Sequence, residues 1–211
     1  MSARSHLIDT PPDLTADQSA LARWEDDGGL PASTTPAARE KHQLRIGAAL
    51  ARRLLELAGR QDVLVTCRHG TRSGAPAAFY PATAELEIDT VLFAPLALSS
   101  INPDHPGDED RYPAAWGAFT HEAAHAAHSR WTAPAPLHGT AQHQAALLLE
   151  ESRAERAHLA RRPHDRRYLR ATVHTLISPD INGNTPTDTW QAAWAAGLLL
   201  ARRDAGILDP D

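Results

Sequence analysis

The chain has 211 residues, 42% hydrophobic and 22% charged, with a net charge of −5, which suits one core-forming domain, with or without a floppy end, and gives no global attraction to nucleic acid. A lone cysteine, Cys67, excludes an internal disulfide. No run of about 18 apolar residues marks a membrane span, and residues 1–27 lack the apolar stretch of a signal peptide, so the expectation is a cytoplasmic protein with no membrane partner.

Residues 1–34 carry Pro, Asp, Ser, Thr and Gly with little periodicity. They read as a mobile N-terminal arm, with one helical turn around Leu21 to Trp24; residues 35–211 read as the folded domain. Leu44, Ile46, Leu50, Leu54, Leu55 and Leu57 recur at helical spacings, with Thr34 or Thr35 as cap, Pro36 in the first turn and Gly59 as terminator. Residues 62–67 read as a strand. Residues 84–89 alternate polar and apolar, which predicts a strand with one wet face, and Phe79-Tyr80-Pro81 suggests a short edge strand. Residues 99–113 hold prolines, a glycine and acidic residues and read as a long loop.

Four helices are predicted next, over 113–129, 140–162, 165–177 and 188–204, the second stopping before Pro163 and the last at Gly206. Asp180-Ile181-Asn182-Gly183-Asn184 resembles the opening of a calcium loop. Its twelfth position is Gln191 rather than Glu, so it reads as an Asn/Gly turn. A helix, a small sheet and then helices is an α+β order.

The chemistry gathers on His121-Glu122-Ala123-Ala124-His125. Two histidines four apart on a helix lie about 40° apart and one turn up, so their imidazoles can converge on one zinc ion. Glu122 sits to the side of that pair, where a carboxylate can orient a water and take its proton. The competing structural reading is a solvated alanine-rich helix with incidental histidines.

A catalytic zinc site needs a third protein ligand and an open position. His128 is one candidate, but its backbone lies about 10.5 Å along the helix from the first ligand, too far for a straight helix. It is left as an outer, substrate-facing or surface residue. Metzincins carry Gly and His where this chain has His128 and Trp131, which excludes that class. Glu150 and Glu151 on the next helix are the others. Glu151 is favoured, because Glu155 follows it one turn later and could grip a ligand imidazole. Otherwise Glu150, Glu151 and Glu155 form a solvated face paired with Arg153 and Arg156.

His121-Glu122-x-x-His125 followed by Glu151-x-x-Ala154-Glu155 resembles the gluzincin class of metallopeptidases. The second part is similar to the Glu-x-x-Ala-Asp helix of the M48 peptidases and to the Glu-x-x-Ala-Asn helix of the ImmA/IrrE regulators; Glu155 departs from their Asp or Asn. The resemblance covers roughly residues 119–163. It implies a zincin-like fold, a small mixed sheet packed on long helices. It also implies zinc held by His121, His125 and Glu151, Glu122 as general base and Glu155 supporting a ligand. Zincins pair an extended peptide with a sheet edge, and the stretch 77–89 is the candidate edge.

Fainter signals remain. Tyr168 and His174 are candidate donors to the oxyanion of amide hydrolysis. Arg153, Arg156, Arg161, Arg162, Arg166, Arg167 and Arg170 form a basic run that reads as a solvated, carboxylate-paired face. The alternative is a nucleic-acid patch, against which stand the acidic total charge and the lack of interleaved aromatics. Trp116, Trp131, Trp190 and Trp194 read as core or groove wall, and Cys67 as an inert buried thiol. The expectation is a zinc metallopeptidase acting on a protein or peptide substrate. The alternative is a catalytically silent, zincin-like regulatory or binding module.

Overall fold

A computed structural model describes residues 35–131, 134–179 and 189–209. The proposed arm, the turn around Leu21 to Trp24 and the Asn/Gly turn at 180–184 lie outside the described residues. Among the described residues five α-helices and a three-stranded mixed sheet make an α+β arrangement. Among the described residues the contacts divide into two units, one holding residues 35–53 and 62–108, the other residues 54–61 and the described residues from 109 onward. Among the described residues no helix is long and apolar enough to cross a membrane.

Helix α1 (Pro36–Ala58), whose residues up to 53 belong to the first unit, starts at Thr35, whose Oγ1 accepts from the Ala38 amide at 3.2 Å. Gly59, at φ +68°, ends it. Ile46, Ala49 and Leu50 are buried on one face. Gly47 sits so close to strand β1 (Leu64–Arg68) that a Cβ there would lie 3.1 Å from the Val65 carbonyl. Strands β2 (Ala77–Tyr80) and β3 (Glu85–Asp89) form a hairpin, and β1 joins β3 in parallel, giving the order β1-β3-β2. Only 77–80 of the expected edge is therefore an edge; 85–89 is the central strand.

The wet face expected of β3 is also corrected. Glu87 is 1% exposed, held by the Arg68 guanidinium, the Arg72 amide at 2.7 Å, Arg72 Nε at 2.9 Å and the Tyr80 hydroxyl at 3.2 Å. Burial pushes this carboxyl up, but those donors outweigh it and hold it below the usual carboxylate range. Alternation located the strand correctly, but could not show that arginines would close over its polar face.

The second unit is helical: α2 (Pro113–His128), α3 (Ala141–Arg161), α4 (Arg166–Thr172, continued by a π turn over Val173–Ile177) and α5 (Thr189–Asp204). The π turn is a departure from the regular helix expected over 165–177. Helix α2 is buried at every residue from Ala115 to Ala126, so the solvated-helix reading fails. Its alanines and Gly117 let helices approach closely. A Cβ on Gly117 would lie 2.0 Å from the Tyr168 carbonyl oxygen, so α2 and α4 touch backbone to backbone there. Trp116 anchors the same contact, with Phe119 at 5.4 Å and Tyr168 at 6.3 Å between ring centroids. Thr140 caps α3 by accepting from the His143 amide. Helix α5 ends in a Schellman arrangement: the Ile207 amide reaches the Arg202 carbonyl, the Gly206 amide reaches that of Arg203, and Gly206 has φ +83°.

Candidate metal centre

The site is built within the second unit by three helices. Helix α2 brings His121 and His125 together, one turn apart, with ring centroids 4.6 Å from each other. Helix α3 brings Glu151 against both: His121 Nε2 lies 3.2 Å from Glu151 Oε2, and His125 Nε2 lies 3.3 Å from Glu151 Oε1. One donor atom from each of the three residues falls within 4.8 Å of the others, and all three residues are buried. The cluster could hold a metal ion.

Each imidazole is oriented from behind. His121 Nδ1 lies 2.8 Å from Glu155 Oε1, so Glu155 reaches His121 despite the extra methylene relative to Asp. His125 Nδ1 lies 2.8 Å from Ser129 Oγ. Ser129 is in turn hydrogen-bonded to Glu150, whose carboxylate forks onto Arg153 at 2.7 and 2.6 Å. Glu150 thus faces away from the three-residue cluster and serves His125 through Ser129.

These contacts test whether a cation fits. With its Nδ1 proton directed at Glu155, a neutral His121 turns the Nε2 lone pair inward. His121 Nε2, 3.2 Å from Glu151 Oε2, makes no hydrogen bond. An imidazole lone pair and a carboxylate oxygen meeting in a dry interior repel unless a positive charge lies between them. Two imidazoles plus one carboxylate are also a catalytic zinc donor set, with a fourth position left for water or substrate.

The electrostatics agree. Burial pulls the His125 imidazole down, but Glu151, Glu122 and Glu155 outweigh it and raise it to about 9. Burial pushes Glu151 up, yet His125, His121 and Arg202 hold it far below the usual carboxylate range. Glu155 is lowered for the same kind of reason, chiefly by Arg202 and His121 against the effect of burial. Glu151, Glu155 and Arg202 are all buried, and two carboxylates against one guanidinium leave an excess of negative charge that a cation in the cluster offsets.

Compared with protein-family models, curated proteins and solved structures, the chain matches none.

The remaining sequence candidates fall outside the cluster. Glu122 is buried beside His121 on α2 and contributes to the raised His125. His128 is half-buried; burial, with Arg161, His158 and Arg153 nearby, lowers its imidazole. Tyr168 is committed elsewhere, its hydroxyl donating to Asp110 at 2.7 Å and accepting from Arg167 at 2.6 Å. His174 is exposed on the π turn.

Six of the seven arginines of the basic run are charge-paired. Arg153 sits on Glu150, Arg156 on Asp204, Arg162 on Asp165, Arg167 on Asp110, and Arg166 and Arg170 share Asp209. Trp116 is core, whereas Trp131 and Trp190 are exposed.

Sequence reasoning missed two participants. Ser129 stands one turn after His125 at the end of α2, a spacing that could have suggested it. Arg202 on α5 is fully buried, with Nη2 2.9 Å from Glu151 Oε2 and Nη1 2.7 Å from Glu155 Oε2. Nothing in the local sequence separates it from its exposed neighbour Arg203.

Proposed function

We propose that the chain is a cytoplasmic, zinc-dependent metallopeptidase of zincin-like fold that hydrolyses peptide bonds. The observation that carries this reading is the convergence of His121, His125 and Glu151 within 4.8 Å in a buried site, with Glu122 beside the first histidine. His121, His125 and Glu151 would hold the ion. Zinc bound there would supply Lewis acidity, acidifying a water and polarising a carbonyl at neutral pH.

The chain's own groups do the rest. Glu122 takes the proton of the attacking water and passes it to the departing nitrogen as the C–N bond breaks. Glu155 holds His121, and Ser129 holds His125, so that both imidazoles keep one tautomer and one direction. The carboxylate-paired arginines favour a peptide rather than a nucleic acid as the ligand of this unit.

The test is zinc content measured beside cleavage of a peptide library, in the unaltered protein and in Glu122→Gln. Zinc in both with cleavage only in the former supports the reading. A protein that takes up no zinc overturns it.

A second reading is favoured by burial alone. His121, Glu122 and Glu151 are each 1% exposed and His125 is 5% exposed. A metal so enclosed can act as a structural brace in a regulatory or binding module. Zinc uptake that raises the melting temperature, with no cleavage in either form, decides for it.

A further inference from the structure

We propose that Arg202 is a positioning residue of the metal centre: it is the built-in countercharge that keeps Glu151 and Glu155 assembled before metal arrives, and it fixes which Glu151 oxygen is offered to the ion. This rests on the metal-centre reading above and extends it to α5, which the motif does not include.

Glu151 and Glu155 lie one turn apart on α3, both in a dry interior. Two carboxylates that close repel each other, and burial adds to the cost of their charge. Arg202 meets both at once through separate Nη atoms, at 2.9 and 2.7 Å. The planar fork spans the two acids, which a lysine ammonium, a compact point charge, cannot match.

The pairing divides the oxygens. Glu151 gives Oε2, the oxygen that also lies 3.2 Å from His121 Nε2, to Arg202, and its other oxygen, Oε1, faces His125; Glu155 gives Oε2 to Arg202, and its Oε1 faces His121 Nδ1. With one oxygen held by the guanidinium, Glu151 can offer the ion a single unencumbered oxygen. Arg202 thus favours a low coordination number with a position left open. Its own place is set by the Schellman turn, where its carbonyl accepts from the Ile207 amide and Ile207 is buried. The end of α5 is therefore tied to the donor set by both backbone and side chain.

The experiment compares the unaltered full chain with Arg202→Lys, Arg202→Met and Arg202→Met/Glu155→Gln. Zinc affinity is read by competition with a chelator, cobalt(II) by its visible absorption, and melting temperature with and without metal. The expected results are a folded metal-free parent, zinc affinity about 10–100-fold weaker in Arg202→Lys, and weaker cobalt absorption as Glu151 becomes free to chelate. Arg202→Met should depend on metal for folding. If it fails to fold at all, the double variant, which removes the unpaired charge while keeping an acceptor for His121, should recover a cooperative transition. Arg202→Lys with parental zinc affinity and cobalt spectrum overturns the proposal, as does a double variant no more stable than Arg202→Met. Failure of the metal reading looks different, because the parent itself would then bind neither ion.

Discussion

His121 Nδ1 stands 2.8 Å from Glu155 Oε1, an imidazole of α2 fixed by a carboxylate of α3 in the interior of the helical unit. A carboxylate behind an imidazole fixes its tautomer and raises its basicity. Glu155→Ala should therefore weaken zinc binding by about 10–100-fold without abolishing it. Glu155→Gln, whose amide oxygen still accepts from Nδ1–H, should lose less. Chelator competition on the two variants measures the difference.

Glu122→Gln should retain zinc and lose turnover by a factor of about 10²–10⁴, the usual contribution of a general base. The amide is nearly the same size and cannot accept the proton. Full cleavage activity in this variant would falsify the hydrolytic mechanism.

His125→Ala and Glu151→Ala should each abolish stoichiometric zinc, because each removes one of three donors. Glu150→Ala should keep the metal, since that carboxylate points to Arg153 and Ser129 rather than to the cluster. Elemental analysis of the purified variants decides; zinc retained in Glu151→Ala and lost in Glu150→Ala would move the third ligand.

Metal uptake should depend on pH with a definite sign. In the metal-free protein His125 is raised from 6.5 to about 9, so at pH 7 a proton occupies it and must leave when metal binds. Zinc affinity should rise by about tenfold per pH unit between pH 7 and 8 and level off above about 9. The raised value also stabilises the metal-free fold at low pH, a contribution lost between 6.5 and about 9 as the imidazole deprotonates. Calorimetric titration in buffers of different ionisation heat counts the released proton.

Gly117→Ala should be severely destabilising. Its Cβ would meet the Tyr168 carbonyl at 2.0 Å and Thr172 Oγ1 at 2.2 Å, so α2 and α4 must part. Overpacking commonly costs about 1–3 kcal/mol, and a backbone clash belongs at or above the top of that range. Gly117 is one turn before His121, so zinc affinity should fall along with the melting temperature. A variant that melts with the parent would show that the helices have room to spare.

Much of the local architecture was legible because it is local physics. Thr35 and Thr140 cap their helices, Gly59 and Gly206 take positive φ where helices end, and Pro163 follows the end of α3. The spacing of His121 and His125 places two imidazoles on one face of any helix, and that of Glu151 and Glu155 does the same for two carboxylates. Such relations hold within one element and follow from the helical repeat.

Relations between elements were settled only by packing. Periodicity gives β3 two faces but not the arginines that close over Glu87, nor its central place in the sheet. An adjacent Glu150 and Glu151 look alike as a string; their directions on α3 differ by about 100°, and the position of α2 decides which one meets the imidazoles. Arg202 and Arg203 pose the same problem more sharply, because an arginine pair near a helix end reads as solvated. One of them is buried because two carboxylates already occupied the interior and required a positive charge, a demand that arises only after α3 and α5 have come together.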